Sequence, residues 1–245
     1  MRILMDESLL VQYPEIERDH FWWVSRRELV RGLIRGEGLG DDSTVLDVGC
    51  GSGVLSRELS RLGTNVTGVD VAGHLEWDSE NRDVVFHEGD FLEMSSDLGT
   101  FDCLLALDVM EHVETEKAFV DALGRNVRPG GLVVVTVPAY QWMWSRHDEI
   151  NHHFRRYTKK RLVAALEGGD LHVTRCGYIF FGLIVPKIVS KGAERLRDDD
   201  GVGVPSAPLN RGALTYFRWE HRLANRFRNF LPAGTSVIAV CRRRP

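Results

Sequence analysis

The stretch Val45-Leu46-Asp47-Val48-Gly49-Cys50-Gly51-Ser52-Gly53 constrains this chain more than any other. An apolar strand runs into three alternate glycines, and helix-forming residues resume at Val54. Glycine lets a backbone turn sharply and approach a ligand with no Cβ in the way. The spacing alone is weak evidence, because any tight strand-to-helix turn can use it, and it does not follow the dinucleotide fingerprint GxGxxG. Asp47 adds direction. A carboxylate two residues before the first glycine would repel a pyrophosphate and suits a cationic ligand.

Strand-like runs over 44–48, 65–70, 84–87, 101–107 and 131–137 alternate with helical candidates over 54–62, 73–80 and 115–127. Such alternation calls for a parallel sheet with helices on both faces. The turn Arg128-Pro129-Gly130-Gly131 separates the last of these helices from the last of these strands. The first 35 residues read as helical, with the aromatic cluster Phe21-Trp22-Trp23 followed by Arg26 and Arg27. Beyond Pro138 the pattern changes. Residues 139–157 are aromatic, basic and histidine-rich, and Thr158 can cap a helix running to about residue 167. Two more strands are expected at 171–181 and 235–241, with a loop over 191–212 that includes Asp198-Asp199-Asp200-Gly201. An amphipathic helix is expected over 213–231, with Arg218, Arg222 and Arg226 stacked on one side. The reading is one domain over 1–245, made of a helical cap (1–40), a core (41–138), a substrate-facing lid (139–170) and an insertion (182–231).

Composition narrows the class. The four cysteines, Cys50, Cys103, Cys176 and Cys241, are far apart, which fits a reducing cytoplasm better than a disulfide framework or a zinc ribbon. Met1 to Leu10 carries charge inside its short apolar stretch, unlike a signal peptide, and the longest apolar run, 178–186, is too short to span a bilayer. A net charge of −4 argues against a general nucleic-acid binder. From Arg211 onward, however, eight arginines face one acid, Glu220, so an anionic partner could meet the chain there.

Three acids fall at successive strand ends: Asp47, Asp70 and Asp90. A carboxylate in the place of Asp70 can accept both hydroxyls of a ribose, and Asp90 can accept from an exocyclic amine. Together with the glycine loop they describe a crevice on the carboxyl edge of one sheet.

At these residues the chain resembles a known family. VLDVGCGSG, GVD, EGDF, FDCLLALDVMEHVE and RPGGLVVVTVPAY together look like class I S-adenosylmethionine-dependent methyltransferases, in the branch of ubiquinone-pathway and natural-product enzymes. The resemblance covers roughly residues 44–138. It implies a Rossmann-like α/β fold: a seven-stranded, mostly parallel sheet with helices on both faces, an antiparallel last strand and lid insertions. It implies S-adenosylmethionine as cofactor. Asp47, Gly49, Cys50, Gly51 and Gly53 would hold the methionine part, Asp70 and Val71 the ribose side, and Asp90 with the Phe91 backbone the adenine. Asp108 and Val109 would pass beside the sulfonium, with Glu111 and His112, the latter lining the cofactor pocket, just beyond. Cys50 is read as packing rather than as a nucleophile.

Methyl transfer from a sulfonium asks mainly for alignment, and for a base when the acceptor is protonated. Histidine is the usual base near neutral pH. His112, His147, His152 and His153 are available, and His147 and His152 are the chosen candidates. No metal is expected, since His147, Asp148 and His152 match no rigid helical spacing. Arg26 or Arg27 could reach the cofactor carboxylate, and Trp22, Trp23, Trp142 and Trp144 could wall the pocket. The acceptor is expected to be a small molecule methylated at oxygen or nitrogen. A lipid or lipid-linked acceptor, with peripheral membrane contact through Arg218, Arg222 and Arg226, is an alternative, as are a non-catalytic cofactor-binding module and an NAD-dependent reductase.

Overall fold

The computed structural model describes residues 14–71, 84–193, 204–226 and 230–245. The helix expected over 73–80 and the run Asp198–Gly201 lie outside them. Helix α1 (Phe21–Gly36) leads into β1 (Thr44–Val48), α2 (Val54–Ser60), β2 (Asn65–Asp70), β3 (Val84–Glu88), the single turn α3 (Phe91–Met94), β4 (Phe101–Leu107), α4 (Glu116–Asn126) and β5 (Val127–Pro138). There follow α5 (Arg146–Ile150), α6 (Lys159–Leu166), β6 (Leu171–Ile179), α7 (Ile184–Ala193), α8 (Ala207–Arg226) and β7 (Ser236–Arg243).

The seven strands form one sheet in the order β3-β2-β1-β4-β5-β7-β6. The first five in that order run parallel, and β7 is antiparallel to both of its neighbours. Central strands are apolar on both faces because both faces are covered. Leu46, Leu104 and Val133 pack with Phe119 and Leu123 of α4 and Leu162 of α6. Val45, Leu105 and Ile238 pack on the other face with Leu33 of α1 and Leu55 and Leu59 of α2.

Several boundaries differ from the sequence reading; Leu231, expected to end the last helix, instead bridges Tyr178. Strand β5 starts at Val127, so Arg128-Pro129-Gly130 lies within the strand as an irregularity, with Gly130 at φ +75° and a register shift opposite Phe101. Strand β6 stops at Ile179 because Phe180 adopts φ +63°, and the Glu220 carboxylate accepts from the amides of Phe181 and Gly182. The expected loop at 191–212 is shorter, since α7 reaches Ala193 and α8 begins at Ala207. Tertiary contacts account for the early start of α8. Asn210 accepts from the Phe21 amide and donates to the Asp19 carbonyl, and Phe217 stacks on Phe21 and meets Phe180 edge-on.

Two glycines should respond oppositely to alanine. A Cβ on Gly234 would stand 2.0 Å from the Ile179 carbonyl oxygen, whereas Gly212, inside α8, faces open space. Urea denaturation should show Gly234→Ala destabilising the protein by about 1–3 kcal/mol and Gly212→Ala stabilising it by about 0.5–1 kcal/mol.

A candidate ligand site at the carboxyl edge of the sheet

Strand order reverses between β1 and β4, and a parallel sheet opens its ligand crevice at such a point, outside the strand carboxyl ends. The glycine loop is fastened across β2: Gly49 and Cys50 donate to the Val69 carbonyl, and Gly51 donates to Asp70 Oδ2 at 2.8 Å. Gly49 has φ +68°, and a Cβ there would stand 2.4 Å from Val109 Cγ2. Only glycine lets the loop pass beneath Val109. Cys50 is buried, its thiol pushed up by burial, and its sulfur lies against Gly68, consistent with packing.

Asp47 sits buried under the loop and accepts from Ser56 Oγ at 2.6 Å. Burial, aided by the nearby Glu17 and Asp70 carboxylates, pushes its pKa up to about 7. Glu17 was not foreseen from sequence. It belongs to a helical turn over 14–19, and its carboxylate accepts from the amide at 3.1 Å and the hydroxyl of Ser52 in the glycine loop. Burial raises the Glu17 carboxyl as well.

Of the two candidate arginines, Arg26 enters the site. It pairs with Asp108 and lies 4.6 Å from the Trp22 ring centroid. Arg27 turns away to the Glu17 and Arg18 carbonyls and to Glu58. Asp108 holds φ +58°, fixed by its amide on the Thr136 carbonyl and by the Thr136 hydroxyl on its carboxylate. Asp90 caps α3 by accepting from the Leu92 amide at 2.8 Å, while the Phe91 ring packs edge-on against Phe119 in the core. Val71, just past β2, is exposed.

Over this edge lies the segment between β5 and α6. Its two ends are joined: the Tyr140 amide donates to the Tyr157 carbonyl, and the Tyr157 amide to the Pro138 carbonyl. Within it, Ser145 and Asp148 form a capping box that starts α5. Asp148 is fully buried and accepts from Arg156 at 2.7 and 2.9 Å, from His153 Nδ1 at 2.8 Å and from the Ser145 amide at 2.9 Å. Burial alone would raise this carboxyl; the His153 and Arg156 hydrogen bonds overcome that and hold it well below the usual range. His153 meets His112 ring to ring, 4.6 Å apart and nearly perpendicular.

His147 and His152 are both exposed. His147 contacts Asn151, and His152 takes φ +52° and makes no side-chain hydrogen bond among the described residues. The histidine brought onto Asp148 and His112 is His153. The signal was present in the sequence as Ser145-x-x-Asp148, which fixes the turn that carries Asp148 inward. Glu111, His112 and His153 each offer a ligand atom within 4.8 Å of the others, an arrangement that could hold a divalent cation. Arg26 Nε, Glu111 Oε2 and His112 Nδ1 are buried without a hydrogen-bond partner among the described residues. These unspent polar atoms, together with the glycine loop and Asp70, fit a polar, partly cationic ligand in the crevice.

Burial, with His153 beside it, lowers the His112 pKa to about 4 from 6.5. The unfolded chain therefore takes up this proton first, and the stability contributed by the neutral ring is present above pH 6.5 and lost as pH falls toward 4. Thermal melts between pH 7 and pH 5 should show a shallower decline in Tm for His112→Asn than for the wild type.

Residues 22–175 match the sequence family described as "Methyltransferase domain". Among curated relatives, the ubiquinone biosynthesis O-methyltransferase of Methylocella silvestris is 34% identical over 122 residues, covering 44% of this chain and 48% of that protein. The sterol 24-C-methyltransferase of Gibberella zeae is 31% identical over 142 residues, 54% of this chain and 35% of that one. The match spans 48% to 62% of the length of the first of these relatives. Similar solved structures include a chain of the complex between the Haloferax volcanii Trm112 methyltransferase activator and a methyltransferase, at TM-score 0.65 and 19% identity, covering 98% of this chain and 96% of that one. The Burkholderia thailandensis 1,6-didemethyltoxoflavin-N1-methyltransferase aligns at TM-score 0.62 and 15% identity, over 97% of this chain and 85% of its own. These two likenesses speak to the fold. With the family match covering well over half of its length, the chain belongs to the S-adenosylmethionine-dependent methyltransferases, whose methyl donor is S-adenosylmethionine.

Proposed function

We propose that this protein methylates an oxygen or nitrogen of a small biosynthetic intermediate in the cytoplasm. The observation that carries the reading is the acid–glycine–acid edge: Asp47 buried beneath the loop, Asp70 bonded to Gly51, and Asp90 at the end of the neighbouring strand. The Gly49–Gly53 loop and Asp47 receive the methionine part, Asp70 and Val71 the ribose side, and Asp90 with the Phe91 backbone the adenine. Asp108, Val109 and His112 line the side where the methyl leaves. The names of the ubiquinone-pathway relatives favour oxygen as the methylated atom. Four free cysteines, three of them buried, suit a reducing compartment.

S-adenosylmethionine supplies an activated methyl on a cationic sulfur. The protein's own task is to hold the acceptor in line, which can supply up to roughly 7–11 kcal/mol, and to take its proton. His153 fits the second task better than His147 or His152. With Nδ1 donating to Asp148, its Nε2 is left as the acceptor, in the manner of an oriented catalytic imidazole. Segment 139–170 then forms the acceptor wall, residues 1–40 close over the cofactor, and 182–231 flank the entrance.

Isothermal titration with S-adenosylmethionine tests the first half of this reading. Binding near the micromolar range is expected, abolished by Asp70→Ala, and absence of binding to both S-adenosylmethionine and S-adenosylhomocysteine would overturn it. A cation arriving beside Asp47, whose pKa is about 7, should expel its proton. Titrations in buffers of different ionisation enthalpy should report about half a proton released at pH 7 and more at pH 6. The base is tested by radiolabelled methyl transfer to a panel of phenols and amines. His153→Asn should lower kcat by about 10²–10⁴-fold with little change in KM, while His152→Asn should leave both unchanged.

A further inference from the structure

The insertion between β6 and β7 turns an apolar face outward. On α7, Val185, Ile188 and Val189 are 68%, 50% and 67% exposed. On α8, Tyr216, Trp219 and Leu223 follow at spacings of three and four, so they share one side of the helix, and Trp219 is 58% exposed. The two elements meet at Gly182, just before α7, where the Tyr216 ring lies so close that a Cβ would stand 2.4 Å from it and the neighbouring Phe181 is itself exposed. Single exposed apolar residues need no explanation, but a contiguous band of this size on a polar chain does.

Among the described residues, the charges of α7 and α8 other than Glu220 are of one sign. Helix α7 carries Lys187 and, in its sequence, no acid. The one acid of α8, Glu220, is 2% exposed and is spent on the amides that start the turn into α7. Arg211 and Arg222 are exposed and make no ion pair among the described residues; Arg218 is paired with Glu28. The acids Glu194 and Asp198 to Asp200 lie outside the described residues. A second copy of the chain is a poor occupant, because a two-fold contact would bring these cations against themselves. An apolar band with tyrosine and tryptophan, bordered by lysine and arginine, is the pattern of helices that lie in a membrane interface. No helix among the described residues is long and apolar enough to cross one.

We propose that the α7–α8 face rests on an anionic lipid surface, with the apolar band among the acyl chains and Arg211 and Arg222 at the phosphates. This goes beyond methyl transfer and does not depend on it. The face adjoins the acceptor wall: α7 packs on the turn Gln141–Met143, where Trp142 is exposed. A lipid-borne acceptor would then reach the crevice from the bilayer side.

The test is sedimentation of the full chain with vesicles of phosphatidylcholine alone and of equimolar phosphatidylcholine and phosphatidylglycerol, at low and physiological salt. Binding to the anionic vesicles is expected to be about tenfold stronger than to neutral ones and to weaken with salt. Val189→Glu and Trp219→Glu should each weaken it by about tenfold or more, with the thermal melt and S-adenosylmethionine titration unchanged. No sedimentation with anionic vesicles at low salt would overturn the proposal, as would unchanged binding by both variants. A wild-type dimer on size-exclusion that Val189→Glu turns into a monomer would assign the face to a second copy instead.

Discussion

The guanidinium of Arg26 is the charge on which the carboxyl edge of the sheet depends. Glu17, Asp47, Asp108 and Glu111 crowd there, three of them almost wholly buried, and Arg26 acts electrostatically on each. Carboxylates taken out of water stay charged only if a cation or strong hydrogen bonds meet them. Arg26 meets Asp108 directly, and burial leaves Glu111, next to Asp108, raised well above the carboxylate range. The arrangement holds because α1 is fixed. His20 caps it through the Trp22 amide, Trp22 lies against Arg26, and Arg27 fastens the preceding turn through the Glu17 and Arg18 carbonyls. The N-terminal helices are therefore fastened to the glycine loop and the carboxyl edge of the sheet, and the cationic sulfur that the family's methyl donor carries would complete a balance that one arginine begins.

Much of the fold was legible because its signals are local. A strand buried on both faces must be apolar through its centre, and Val45-Leu46 and Cys103–Leu107 are; an open parallel sheet then puts Asp47, Asp70, Asp90 and Asp108 at one edge without further information. The β6–β7 insertion was not legible in the same way. Whether α8 starts at Ala207 or at residue 213 is decided by Asn210 reaching the Phe21 amide, a contact between residues 189 positions apart. Glu17 was hidden for a like reason: nothing near it in the sequence announces Ser52.

The histidines mark the boundary between the two cases. His147, His152 and His153 are chemically equal and nearly adjacent, so composition cannot rank them. Backbone conformation does. The capping box turns Asp148 inward, Arg156 grips it with two hydrogen bonds, and only the ring at 153 then meets the carboxylate. A buried ion pair of this kind contributes little net stability. Here it decides which of three similar side chains is held on Asp148 beside His112.

The joined ends of the segment after β5 carry an evolutionary consequence. Because Ala139 bridges Tyr157 and Arg156 also donates to the Ala139 carbonyl, the segment is a closed ring of fixed circumference. Inserting or deleting a residue within it would break the closure and displace Asp148 from Arg156. Related chains should therefore diverge by exchanging side chains mounted on the ring, such as Trp142, Trp144 and His147, while its length stays constant.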